Sequence, residues 1–218
     1  MPKKTIAKIY DEYGVMPQLV MHQLRVAAVA HVIVDAFSGP LHVEELISAC
    51  LLHDMANILK FDLSYFPEFL EPQGLAYWEG VKEGWREKYG SDEHAATLAV
   101  ARKIGVSELT LDYIDAVGFS NAVENQKSNV FEKKIAPYAD MRVAPHGILS
   151  LAERMDDANR RYASRYDEVN TESKVAMSRD ALRLMEQQIF ARTDILPADI
   201  TDASCEKYIV ALKSFQVA

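Results

Sequence analysis

Residues 46–57 read LISACLLHDMAN. The apolar run before His53 and Asp54 marks the end of a buried helix, so an imidazole and a carboxylate emerge together from a core. Neighbours on a helix point about 100° apart. At the fraying end of a helix, however, both side chains can turn toward one point. Charge leaving an apolar core needs compensation, and a metal ion is one form of it. Imidazole with carboxylate suits manganese, iron, cobalt, nickel or zinc. Two donors are too few, so the others must come from elsewhere in the chain.

Two segments offer them. Leu19, His22, Val26, Val29 and Ile33 recur at steps of three and four, which places His22 on the apolar face of a helix over 18–36. Asp140 sits in IAPYADMRV, an acid inside an apolar helical stretch. His22, His53, Asp54 and Asp140 are therefore candidates for one converging site, with His94 close by.

The surrounding pattern is helical throughout. Helices are expected over 18–36, stopped by Ser38-Gly39-Pro40, and over 42–53, with Glu44 and Glu45 in the first turn where acids suit the helix dipole. Residues 60–90 are rich in aromatics and broken by Pro67, Pro72 and Gly74, which suggests a packed loop with a short helix over 75–88. Ser91 or Asp92 caps a helix ending at Gly105, and Ser107 caps the next. Further helices are expected over 132–142, 147–165, 173–192 and 203–215, the last capped by Thr201 or Asp202. No segment alternates like a strand. The expected fold is an all-α bundle in a single domain, with a core over about 15–145 and a helical extension over about 146–218.

Composition narrows the function. A chain of 218 residues fits one domain that buries a sizeable core. A net charge of −8 and a pI near 5.3 argue against duplex nucleic acid as a partner. Two cysteines make neither a disulfide framework nor a cysteine zinc site. The N-terminal MPKKTIAKIYDEYG lacks the apolar stretch of a secretory signal. The run VAAVAHVIVDAF at 26–37 is short and holds His31 and Asp35, so it reads as a core helix and not a membrane span. A cytoplasmic protein, with a homo-oligomer left open, is expected.

The order of these residues resembles the HD superfamily, all-α metal-dependent phosphohydrolases. A His in an early helix (LVMHQLRVAAVA), then HD closing the next apolar helix (ACLLHD), then an Asp in a late helix (YADM) follow that pattern from about Val15 to Arg142. The resemblance implies that His22, His53, Asp54 and Asp140 ligate one divalent transition metal, with a second ion left open. It also implies hydrolysis of a small phosphate ester, a nucleotide foremost, with Asp54 and His94 catalytic. Many members continue HD with Ile-Gly-Lys, whereas this chain has Met55, Ala56 and Asn57; Lys60 stands in for the lysine. His94 resembles the first of two further histidines found in two-metal members. The second falls where this chain reads Phe119-Ser120-Asn121, which points to a single ion or to an incomplete two-metal site. His94 is then a second-metal ligand, an acid for the leaving group or a phosphate contact. Arg25, three residues after His22, and Lys60 are candidate substrate cations. A di-iron oxygenase or a non-catalytic binding module of the same fold are the alternative functions.

The remaining polar residues have plainer readings. His31, His42 and His146 are structural or surface histidines, and Cys50 is a buried inert thiol. Arg154, Arg160, Arg161 and Arg165, interspersed with acids, read as a solvated salt-bridged face or a subunit contact.

Overall fold

The computed structural model describes residues 4–162 and 169–217. They form an all-α bundle of eleven helices with one two-stranded hairpin. α1 (Ile6–Tyr13) closes on Gly14, whose φ of 59° is the left-handed cap that glycine takes without strain. α2 (Pro17–Ala36) is the central helix. It packs against α3 (Val43–Leu52), α8 (Glu132–Asp140) and α11 (Asp202–Leu212). Apolar residues occur all round it, as burial on several sides requires. By length and composition α2 is the one helix among the described residues that could cross a membrane, and half of its apolar window is buried inside this protein.

α3 and α8 lie side by side and run the same way. At their starts, Glu132 accepts from the His42 backbone N–H at 2.7 Å and contacts His42 Nδ1 at 3.1 Å. At their far ends stand His53 and Asp140. Between them in sequence come α4 (Leu75–Tyr89), α5 (Glu93–Ile104), α6 (Glu108–Ala116) and α7 (Ala122–Lys127). Asp92 caps α5 by accepting from the His94 and Ala95 amides, and Ser107 caps α6 through the Thr110 amide. α1 and α7 have no counterpart in the sequence reading, although Ile6, Ile9 and Tyr10 carry the spacing that would have shown α1.

The segment after Asp140 differs most from expectation. A helix over 132–142 stops two residues early. Instead of a helix from 147, β1 (Val143–Ala144) pairs antiparallel with β2 (Gly147–Ile148). Pro145 and Gly147 favour that turn. A Cβ on Gly147 would lie 2.9 Å from Asp202 Oδ2, so a larger residue here would have to displace the Asp202 carboxylate. Ser150 and Glu153 then cap each other's amides and start α9 (Leu151–Tyr162). The expected end of this helix at 165 lies outside the described residues. α10 (Val169–Phe190) packs on α7 and α8. Thr201, with Ser204, caps α11.

Arg142 ties this extension to the core. Its side chain is buried and donates to the Leu149, Pro197 and Ile200 carbonyls and to the Tyr138 hydroxyl. Arg142→Ala would strand those acceptors and leave a void. The expected loss is about 3 kcal/mol, or a Tm lower by roughly 6–12 °C, measured by thermal unfolding.

Candidate metal centre

The three helices that meet at the centre of the bundle, α2, α3 and α8, bring four chemical groups to one point. His22 comes from the second turn of α2, His53 caps the end of α3, Asp54 follows it, and Asp140 ends α8. His22 Nε2 lies 3.0 Å from Asp140 Oδ1 and 3.5 Å from Asp54 Oδ2. His53 Nε2 lies 3.5 Å from Asp140 Oδ1 and 3.8 Å from Asp54 Oδ2. Donors sharing an ion at about 2.1 Å stand about 3.0 Å apart in an octahedral shell and about 3.4 Å in a tetrahedral one. His22, His53 and Asp54 each offer a ligand atom within 4.8 Å of the others, and this triad can hold a metal ion. Asp140, in contact with both imidazoles, is placed to be the fourth donor.

The tautomer of His53 supports the same use. Its Nδ1 lies 2.8 Å from the Cys50 carbonyl, which only accepts, so Nδ1 carries the proton. Nε2 is left facing the carboxylates, a buried ring nitrogen with no hydrogen-bond partner among the described residues. A backbone acceptor that fixes the ring and presents the opposite nitrogen is the usual support of a metal-bound histidine.

Asp54 is also held by its neighbours. Asn57 Nδ2 donates to Asp54 Oδ2 at 2.6 Å, and the buried Gln23 Oε1 accepts from the Asp54 amide at 3.3 Å. Asn57 is thus in contact with a candidate ligand. The Thr97 hydroxyl accepts from the Ala56 amide at 3.1 Å and fixes the same turn to α5.

Each charge in the cluster is set by its neighbours. Burial disfavours a charged His53, but the Asp54 and Asp140 carboxylates and the Cys50 carbonyl outweigh it and raise its pKa to about 9. Burial likewise opposes ionisation of Asp140, yet the two imidazoles hold its carboxyl well below the usual range. Burial pushes the Cys50 thiol up, in keeping with an inert cysteine.

The cluster forms the floor of a cavity of ≈ 970 Å³. Phe61, Tyr65, Phe66, Phe69 and Phe119 contribute aromatic wall, and Phe66 and Phe69 also pack on the His146 ring. The aromatic 60–90 segment is therefore partly loop core and partly cavity wall. Lys60 lines the cavity and bonds Glu93 at 2.6 Å. Burial works against its charge, but Asp54 and Glu93 prevail and raise its pKa.

His94 also lines the cavity, but its Nε2 bonds Asp115 Oδ1 at 2.9 Å instead of joining the cluster. Asp115 had no role in the sequence reading. Asn121 holds the backbone carbonyl of Asp115 at 2.9 Å. Arg25 is not part of the site: it reaches the Pro145 carbonyl at 3.5 Å and lies 3.9 Å from Asp202, outside the cavity lining. At three residues from His22 it shares a face of α2, but α11 occupies the space beside it. Arg154 and Arg161 reverse their expected exposure. Both are largely buried and line the cavity, together with Arg179. Arg160 is exposed, and Arg165 lies outside the described residues.

No family model, curated protein or solved structure matches this chain.

Two outcomes follow for metal uptake. The ordinary histidine value is 6.5 and the metal-free His53 titrates at about 9, so between these the folded apo chain holds a proton that a metal must displace. Titrating metal into apo protein at pH 7–8 in weak buffer should release about one proton per ion, and affinity should rise about tenfold per pH unit, levelling near pH 9. The linked stability has the opposite sign. His53 stabilises the apo fold fully below pH 6.5, and that contribution is lost as pH rises through about 9. Second, Asn57→Ala should weaken metal affinity about 10–100-fold in competition with a chelating dye, without changing helical content.

Proposed function

We propose that the chain is a metal-dependent phosphohydrolase of the HD superfamily, acting on a small phosphate ester of the nucleotide class. The observation that carries this reading is the convergence of His22, His53, Asp54 and Asp140, from three helices and in the family's order, on the floor of one cavity. The His53 tautomer, which turns Nε2 toward the two carboxylates, supports an ion held by this donor set.

Those four residues would hold the metal. When bound there, a divalent ion would supply an acidified water at neutral pH and polarisation of a phosphoryl oxygen. The protein's own groups supply the rest. Asn57 and Gln23 keep Asp54 in place, which fixes the position of the reacting phosphorus relative to the floor. Lys60, at the cavity edge, offers a positive charge to an anionic ester. The aromatic side chains of the 61–69 stretch give a flat ring an apolar wall and exclude water.

His94 and Asp115 form an acid–base pair. With Nε2–H donating to Asp115, Nδ1 is the nitrogen left to hold a proton for the leaving group. Asp115 stabilises that charged imidazole. Of the roles open to His94, its bond to Asp115 favours the leaving-group acid.

The direct test is phosphate release from p-nitrophenyl phosphate and nucleoside monophosphates by metal-loaded protein. Activity should need the metal, vanish with chelator, and fall at least about a hundredfold in His53→Ala with far-ultraviolet circular dichroism preserved. His94→Asn should lower kcat about 10²–10⁴-fold with little change in KM and flatten the alkaline limb of the pH profile. Full activity in His53→Ala or Asp54→Ala would overturn the reading.

A further inference from the structure

The cavity has a second feature that the metal centre does not use. Arg154, Ala158 and Arg161 follow at steps of four and three along α9, so one face of that helix turns to the cavity, and α10 adds Arg179 beside it. Arg154 and Arg161 are only 13% and 14% exposed, although each ends in a permanent charge. All three guanidinium groups are held in place. Arg161 donates twice to Asp157 Oδ2, at 2.9 and 2.6 Å, and Arg154 Nη1 lies 3.6 Å from the same oxygen. Arg154 Nε donates to the Val143 carbonyl at 2.8 Å, and Arg179 donates to Asn159.

The result is one wall with three oriented guanidinium groups, two of which, Arg154 and Arg161, share the Asp157 carboxylate. Guanidinium forks match phosphate oxygens in geometry and charge, and their orientation in advance lowers the entropy of capture. This wall comes from the C-terminal extension, whereas the metal donors come from α2, α8 and the end of α3. One cavity thus holds two separate devices for anions. Its ≈ 970 Å³ lies at the top of the range of about 300–1,000 Å³ for small-molecule pockets, more than a compact monophosphate ester fills.

We infer that the cavity takes a substrate with two phosphoryl groups, one at the His22–His53–Asp54–Asp140 centre and the other on Arg154, Arg161 and Arg179. The placement of the first group rests on the phosphohydrolase reading. The second rests on the arginines.

The test uses the metal-loaded full chain and non-hydrolysable phosphonate analogues of adenosine 3′,5′-bisphosphate and adenosine 5′-monophosphate, with Kd from calorimetry. The wild-type chain should bind the bisphosphate analogue at least about tenfold more tightly than the monophosphate analogue. Arg161→Gln with Arg179→Gln should erase that preference while metal content stays at the wild-type level. Arg179→Lys, which keeps charge but loses the fork, should retain part of it. If the double variant fails to fold, Arg179→Gln and Arg179→Lys carry the comparison alone. Equal wild-type affinity for the two analogues, or a preference untouched by the arginine variants, overturns the inference even if phosphate esters are hydrolysed. An arginine-dependent preference in a chain that hydrolyses no ester overturns the phosphohydrolase reading and supports the second anion site.

Discussion

The bond from His53 Nδ1 to the Cys50 carbonyl, 2.8 Å long and buried at the end of α3, sets the direction of everything around it. It leaves Nε2 pointing at Asp140 and Asp54, with no neutral partner to satisfy it. Two carboxylates and two imidazoles so close together are costly to desolvate unless charge is balanced. In the metal-free chain a proton on His53 supplies part of that balance, which is why its pKa rises to about 9. A divalent cation balances both carboxylates at once and frees the imidazole to be neutral. Proton and metal thus compete for one place.

The scaffold serves that place with stiffness. α3 and α8 are pinned together at their starts by Glu132 and His42, so their far ends arrive in register with His53 opposite Asp140. α2 crosses both and contributes His22 from its interior. The extension adds two things. Arg142 anchors it through three backbone carbonyls and the Tyr138 hydroxyl, and α9 with α10 closes one side of the cavity with arginines. Residues far apart in the chain therefore share one enclosure, with metal donors on the floor, aromatic rings on one part of the wall and guanidinium groups on another.

Much of this was legible in the chain. The steps Leu19, His22, Val26, Val29 and Ile33 gave α2 to within one residue, and Asp92, Ser107 and Thr201 cap the helices they were expected to cap. Asp54 and Asp140 stood out because acids in apolar segments need a reason. What was not legible depended on neighbours distant in sequence. Arg25 has the right spacing from His22, but only the packing of α11 shows it turned to Asp202. Asp115 is an ordinary exposed acid until α6 sets it beside His94. Arg154 and Arg161 look solvated among Glu153, Asp156 and Asp157, because sequence does not reveal which face of α9 is covered. The hairpin at 143–148 is too short to alternate, and only Pro145 and Gly147 hinted at it.

Four side chains from three helices converge where one ion would bind. X-ray absorption at the metal edge of the loaded protein tests that most directly. Two imidazole nitrogens and two carboxylate oxygens at about 2.0–2.2 Å are predicted, with the imidazole multiple-scattering pattern reduced by half in His22→Ala. A first shell of oxygen alone, or a spectrum indifferent to that substitution, would contradict it.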